Sequence, residues 1–309
     1  MKLRDRLIQY VLNGMSGGQV LFRPPGEADS LIIRAAVGCP WNRCDFCGMY
    51  KGVKYRYLGL EKIEADILSH CRGGGADEET RPGTGRIFLA DGDVMFLEFD
   101  DLEKILLMLN KNCQRFARVS LYANGASILA KTDDQLRRLR ELKLHTLYMG
   151  LESGHDLTLR KVSKREKSDE MIQAGVRAQA AGLRMSVMVL IGLAGRENSL
   201  QHARATAEAL NRMQPRLLSA LRLIVTPNTP LAVNGFEMLT EYEAVAETRE
   251  MIDGLELKQT VFRADHSSNI IPLEARLPRD KKRLLAELDA LLSSGKLDKK
   301  TPGTLPRLL

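Results

Sequence analysis

Between about Ser30 and residue 225 the chain alternates short apolar runs, rich in β-branched residues, with longer stretches whose apolar positions recur every three or four residues. The short runs, at residues 31–37, 86–90, 118–123, 146–151, 185–191 and 219–225, predict six buried strands. The amphipathic stretches 60–70, 102–110, 133–142, 167–181 and 199–213 predict helices that cross back between them. Thr132 followed by Gln135 supplies a capping box for the third helix, and Leu136, Leu139 and Leu142 line one of its faces. Such βα alternation builds a parallel sheet, either open and doubly wound or curved into an incomplete barrel. In both, ligands gather at the carboxyl ends of the strands. Further along, residues 260–263 read as a short strand and 277–292 as a final helix, while the glycine-rich stretch 72–85 reads as a surface loop without assigned function.

Composition narrows the class. A chain of 309 residues, 44% hydrophobic and 28% charged, is that of an ordinary globular protein, which excludes disordered and fibrous classes. Its length suits one barrel-sized core plus an appendage. No apolar run approaches the roughly 20 residues that cross a bilayer, and Met1 to Ile8 lack the apolar segment of a signal peptide, so a cytoplasmic protein is expected. The net charge of +7 permits an anionic substrate or RNA without demanding one.

Five cysteines, three of them within nine residues, suit metal ligation better than a disulfide framework. Cys39, Cys44 and Cys47 stand directly after the first predicted strand, among Asn42, Arg43 and Asp45, where thiols meant for packing are out of place. Structural zinc requires four ligands, and Cys71 and Cys113 lie far off in sequence. Three thiolates on a short loop point to an iron-sulfur cluster with one open iron. The spacing also fits an electron carrier of ferredoxin type, whose fourth ligand would be Cys71, but that leaves six βα units without a purpose. A basic RNA-binding module with a structural zinc is a third class, marked by salt-sensitive affinity.

With these motifs in order, the chain from about Ile32 to Leu231 resembles the radical S-adenosylmethionine superfamily. The resemblance implies a partial (β/α)6 TIM-like barrel over residues 30–231, an N-terminal extension over 1–29, and a mainly helical C-terminal region over 232–309 that closes it. It implies that Cys39, Cys44 and Cys47 bind a [4Fe-4S] cluster whose fourth iron is chelated by S-adenosylmethionine, with Phe46 as the aromatic residue before the last cysteine. The spacing C-x4-C-x2-C has one residue more than the commonest family pattern.

Ala90-Asp91-Gly92-Asp93 occupies the place of the family segment that receives the methionine amino group, with Asp93 the first choice for that contact and Asp91 the second. Gly150-Leu151-Glu152-Ser153-Gly154 is similar to a segment of the branch that includes tRNA methylthiotransferases and cobalamin-dependent members. It implies that Glu152 and Ser153 face the ribose or methionine and that Lys164 reaches the carboxylate. Ile191 to Leu193 correspond to backbone along the adenine, and Thr226 to Leu231 are again like that branch. The implied reaction is reductive cleavage of S-adenosylmethionine to a 5'-deoxyadenosyl radical, driven by a reductant such as flavodoxin or ferredoxin, on a substrate the sequence does not name. Tyr122 and His266 are further polar candidates for catalysis; a histidine such as His266 serves more often at a surface or a helix cap. Taken singly, acidic and glycine residues after strands usually form turns or caps; their joint order after five of the six strands carries the reading.

Overall fold

The third helix begins as its sequence dictates. In the computed structural model the Gln135 amide donates to the Thr132 hydroxyl at 3.2 Å, and the Thr132 amide donates to the Gln135 side chain at 2.9 Å, which closes the capping box. Leu136 and Leu139 are buried on the face below. The structure describes residues 15–16, 19–72, 85–113 and 116–304; the N-terminal stretch read above for a leader and most of the loop 72–85 lie outside them. The chain divides into two compact units, one of Met1–Pro40, Gly52–Leu147 and Ala181–Leu183, the other of Trp41–Lys51, Tyr148–Ala180 and Arg184–Leu309.

In the first unit β1 (Leu31–Arg34), α1 (Leu60–Arg72), β2 (Arg86–Ala90), α2 (Phe99–Asn112), β3 (Arg118–Tyr122) and α3 (Asp133–Glu141) follow one another, and the strands pair in that order, all parallel. Side chains alternate across the sheet, so Ile33, Ile87, Leu89, Val119 and Leu121 share one buried face. The first predicted strand breaks at Ala35, whose amide turns to the Ala90 carbonyl and whose carbonyl accepts from Leu58. Beyond the break Ala36–Val37 pairs antiparallel with Arg56–Tyr57.

Cys71, at the end of α1, and Cys113, just past α2, form a disulfide with a Cα–Cα separation of 4.9 Å. Five cysteines that read as metal ligands rather than a disulfide framework thus include one pair, which removes Cys71 as the fourth ligand of a ferredoxin-type cluster. Successive parallel βα units end their helices on one edge of the sheet, which a separation of 42 residues conceals.

The second unit takes up β4 (Leu144–Glu152) at Tyr148 and continues through α4 (Ser168–Ala180), β5 (Arg184–Ile191), α5 (Ser199–Met213), β6 (Leu217–Arg222), α6 (Glu241–Gly254), β7 (Thr260–Ala264), β8 (Leu273–Leu277) and α7 (Lys281–Ser293). Its strands lie in sequence order, β5, β6 and β7 are parallel, and β8 returns antiparallel along β7. The fold is therefore α/β with a mostly parallel sheet and, among the described residues, no closed barrel, and in each unit the strands deliver their following turns to one edge.

Candidate functional site

In the first unit that edge carries Cys39 and the Asp91-Gly92-Asp93 turn. The Gly92 amide donates to the Gly38 carbonyl at 3.2 Å, and the Asp91 carboxylate accepts from the Gly38 amide at 3.4 Å and from the Arg34 guanidinium at 2.8 Å. Asp93 accepts from the Asn124 amide, the Asn124 side chain and the Ser127 hydroxyl at 3.3, 3.0 and 2.7 Å. Both carboxylates are buried, at 0% and 1% exposure. Asp93 and Asp91, the first and second choices for a ligand's amino group, each have protein donors, as a buried carboxylate needs. Asp91 ties the turn after β2 to the stretch that delivers Cys39, and Asp93 ties it to the turn after β3.

Tyr55 shares this neighbourhood. Its phenol is pushed up to about 12, first by burial and then by the charges of Asp93 and Cys39, and its hydroxyl has no hydrogen-bond partner among the described residues. Tyr122 packs edge-to-face on Phe88, with ring centroids 5.2 Å apart.

In the second unit the loop that bears Cys44 and Cys47 is bolted down on several sides. The Asp45 amide donates to the Val162 carbonyl at 2.9 Å, its carboxylate accepts from the Ser163 hydroxyl at 3.0 Å, and its carbonyl accepts from the Leu231 amide at 3.2 Å. Trp41 donates its indole N–H to the Ser163 carbonyl at 2.9 Å, and Asn228 donates its side-chain amide to the Gly48 carbonyl at 2.9 Å. A Cβ at Gly48 would lie 2.5 Å from Asn228 Oδ1, so a larger residue there would have to displace the Asn228 side chain from its bond to the loop. Phe46 packs on an apolar cluster of Val162, Leu193, Leu223 and Leu231. The segment 226–231 thus secures the cysteine loop, a purpose its sequence alone did not disclose.

The Glu152-Ser153-Gly154 turn is built differently. Glu152 adopts φ +61°, a left-handed conformation that L-residues seldom take. Its carboxylate stands 3.6 Å from the Lys164 ammonium, which also donates to the Gly150 carbonyl at 2.8 Å. Burial pushes the Glu152 carboxyl up, Lys164 pulls it back, and the charge of Glu166 adds to the rise. Ser153 is fully buried: its hydroxyl bonds to His202 Nδ1 at 2.7 Å and accepts from the His155 amide at 2.9 Å. The Ser153 hydroxyl, expected to face a ligand, here bonds within the protein. Gly154 donates to Thr206 Oγ1 at 2.9 Å, and a Cβ there would meet the Ala205 carbonyl at 2.1 Å, so the turn seats directly on α5.

After β5 the Ile191 carbonyl accepts from the Leu223 amide at 2.9 Å, and Gly192, at φ +87°, donates its amide to Glu247 at 2.6 Å. Leu193 turns into the apolar cluster below Phe46. His202 and Glu247 were absent from the sequence reading. His202 was legible only as a polar residue on the apolar face of its helix, and Glu247 as one of several acids on a helix the reading left unassigned. His266 lies in a local turn with Nδ1 2.8 Å from the Ser268 hydroxyl, while Asn269 beside it accepts from the Arg222 amide and donates to the Ala220 carbonyl.

Cys39, Cys44 and Cys47 are outside any disulfide and partly exposed. Among the described residues no three histidine, cysteine or acidic side chains are gathered into a ready-made metal centre. The donor set nevertheless fits an iron-sulfur cluster: three soft ligands on one short loop, one short of a tetrahedral zinc site, with a buried Tyr55 hydroxyl that feels the Cys39 charge and has no partner among the described residues.

The Radical SAM superfamily model matches residues 33–204, more than half of the chain, so the chain belongs to that superfamily and is an enzyme of its class. Such enzymes typically bind a [4Fe-4S] cluster and S-adenosylmethionine and need a reductant. Among individual proteins, the chain is 26% identical over 177 residues to the heme chaperone HemW of Bacillus subtilis (strain 168), a match that covers 56% of this chain and 46% of HemW. It is similar in fold to the radical S-adenosylmethionine methyltransferase TsrM from Kitasatospora setae, solved with cobalamin and a [4Fe-4S] cluster bound, with TM-score 0.53, 15% identity, and coverage of 66% of this chain and 39% of TsrM. Methylornithine synthase (PylB) gives TM-score 0.51 and 15% identity over 94% of this chain and 89% of its own. The chain thus spans less than half the length of HemW and TsrM. Among the described residues no helix is long and apolar enough to cross a membrane.

Proposed function

We propose that this chain is a cytoplasmic radical S-adenosylmethionine enzyme in which Cys39, Cys44 and Cys47 hold a [4Fe-4S] cluster. The observation that carries the reading is the division among the cysteines: two are joined to each other, and the remaining three share one loop that Asp45, Trp41 and Gly48 fasten in place. Cluster and S-adenosylmethionine together, when bound and supplied with an electron by a donor such as flavodoxin or ferredoxin, provide reductive cleavage to methionine and a 5'-deoxyadenosyl radical that abstracts hydrogen from the substrate.

The protein's part is positioning. Lys164, fixed by the Gly150 carbonyl and by Glu152, offers a cation to the methionine carboxylate, and Glu152 offers its carboxyl to the amino group or ribose. The backbone from Ile191 to Leu193 supports the adenine, held by Leu223 and Glu247. In the first unit Gly92, with Asp91 and Asp93 as braces of its turn, offers backbone to a ligand at the strand edge. Phe46, Leu193 and Leu231 contribute an apolar wall that limits water near the cysteine loop.

The test is to purify the protein without oxygen, reconstitute it with iron and sulfide, reduce it, add S-adenosylmethionine and assay 5'-deoxyadenosine. Product is expected from the wild type, while Cys44→Ala loses both iron and product and Cys71→Ser keeps both. A protein that holds a reduced four-iron cluster and yields no 5'-deoxyadenosine would overturn the proposal.

A further inference from the structure

Two titratable side chains of the second unit, His202 on α5 and Glu247 on α6, take no direct part in the chemistry proposed above, yet both are buried and both touch the turns assigned to the ligand. His202 Nε2 lies 3.1 Å from the Leu190 carbonyl, which only accepts, so Nε2 carries the proton and Nδ1 accepts from the Ser153 hydroxyl at 2.7 Å. Glu247 Oε1 lies 3.4 Å from the same Nε2 and accepts from the Gly192 amide, while its other oxygen accepts from the Ser199 hydroxyl. One continuous polar chain therefore runs from the turn after β4, through Ser153, His202 and Glu247, to the turn after β5. Thr206, one helical turn beyond His202, holds Gly154 from the same face of α5.

A serine, a histidine and a glutamate in line invite comparison with a hydrolytic triad, but two features exclude it. Ser153 is fully buried, with no access for a substrate. The imidazole is also reversed, with Nδ1 toward the serine where a hydrolase presents Nε2. A buried network whose members are all satisfied rigidifies what it joins.

We propose that His202, together with Glu247, is a positioning residue that couples the Glu152-Ser153-Gly154 turn to the Gly192 turn, so that the two adopt their ligand-binding geometry together. This rests on the reading that both turns line the S-adenosylmethionine site. Of the charged groups near Glu247, His202 faces it from α5; on its own helix Glu243 and Glu250 pair outward with Arg196 and Arg204, and Arg249 pairs with Asp253 and with Asp289 of α7. The coupling thus passes through one contact pair.

Hydrogen–deuterium exchange on the full-length protein without cluster or ligand reads the coupling directly, and calorimetric titration of the reconstituted protein with S-adenosylmethionine reads its consequence. Ser153→Ala, which touches only the first turn, should speed exchange at the distant Gly192 amide, and Glu247→Gln, which touches only the second, should speed it at Gly154, each by roughly tenfold for one lost hydrogen bond. Both variants should weaken S-adenosylmethionine binding, and the double variant should lose less than the two losses combined. A merely structural role predicts uniform acceleration across the unit, and independent turns predict acceleration only beside each substitution; either pattern overturns the proposal. Should one variant fail to fold, the other still reports from its own end. Wild-type protein with a reduced cluster and no 5'-deoxyadenosine would instead defeat the functional reading, whatever the exchange pattern.

Discussion

The turns after β2 and after β4 both present acidic residues at the end of a parallel strand, and they solve the problem of a buried carboxylate in opposite ways. After β2, Asp91 meets a guanidinium at 2.8 Å and Asp93 meets three uncharged donors, so both anions are surrounded by fixed partners. After β4, Glu152 has Lys164 at 3.6 Å, and the serine beside it bonds to a histidine that stands 3.4 Å from a second glutamate, all in surroundings that disfavour charge. The first arrangement is a brace. The second is a set of buried groups whose charged forms burial disfavours, the kind of setting in which binding and chemistry are often found.

The largest effect should come from breaking the brace. Asp91→Asn leaves the mostly buried Arg34 guanidinium facing a neutral amide and should cost about 3 to 5 kcal/mol of stability in urea unfolding. A loss below about 1 kcal/mol would place Asp91 with the groups after β4.

The next effect is a slope with pH. Glu247 has its carboxyl raised by burial from 4.5 to about 7, so its contribution to stability is intact below pH 4.5 and falls away as pH rises toward 7. His202 is depressed by burial from 6.5 to about 4, so its contribution is intact above pH 6.5 and is lost as pH falls toward 4. Between pH 4.5 and 6.5 the two slopes oppose each other. Glu247→Gln removes the falling one, and its stability should then climb by about 3 kcal/mol across that window, where the wild type stays nearly level. Chemical unfolding at several pH values checks this, and a level profile in the variant would detach His202 from the titration.

The contrast between the two turns also marks what the sequence made legible. Periodicity located β2 and α5 to the residue, because a run such as Arg86–Ala90 and a face such as Ala203, Ala207 and Leu210 are set by local chemistry. The period-two pattern of Leu273, Ala275 and Leu277 and the Thr240–Glu243 capping box carried similar signals for β8 and α6, which the reading passed over. Cys39, Cys44 and Cys47 were visible because their spacing is itself the signal. Partners brought together only by folding were not: Cys71 with Cys113, Asp93 with Ser127, and Ser153 with His202 are separated by 42, 34 and 49 residues. Ser153 was read as a ligand contact from its place in a family-like segment, and a hydroxyl in a glycine-rich turn gives no sign of its partner 49 residues on.

The smallest stability effect, and the sharpest test of the contrast, belongs to Glu152. Replacing it with glutamine removes a carboxyl whose charged form burial disfavours, and it also removes the anion beside Lys164, which keeps its bond to the Gly150 carbonyl. These consequences oppose each other, because a buried ion pair recovers much of its Coulomb energy only to offset desolvation; the net change should stay within about 1 kcal/mol. Binding should respond more than folding: with the carboxyl gone, the affinity for S-adenosylmethionine should fall by roughly tenfold, as for the loss of one hydrogen bond to a charged group. Unfolding and calorimetric titration on the same preparation separate the two quantities. A Glu152→Gln protein that loses as much stability as Asp91→Asn while binding S-adenosylmethionine normally would make the turn after β4 a second brace, and the ligand's acidic contact would then have to be sought elsewhere on the strand edge.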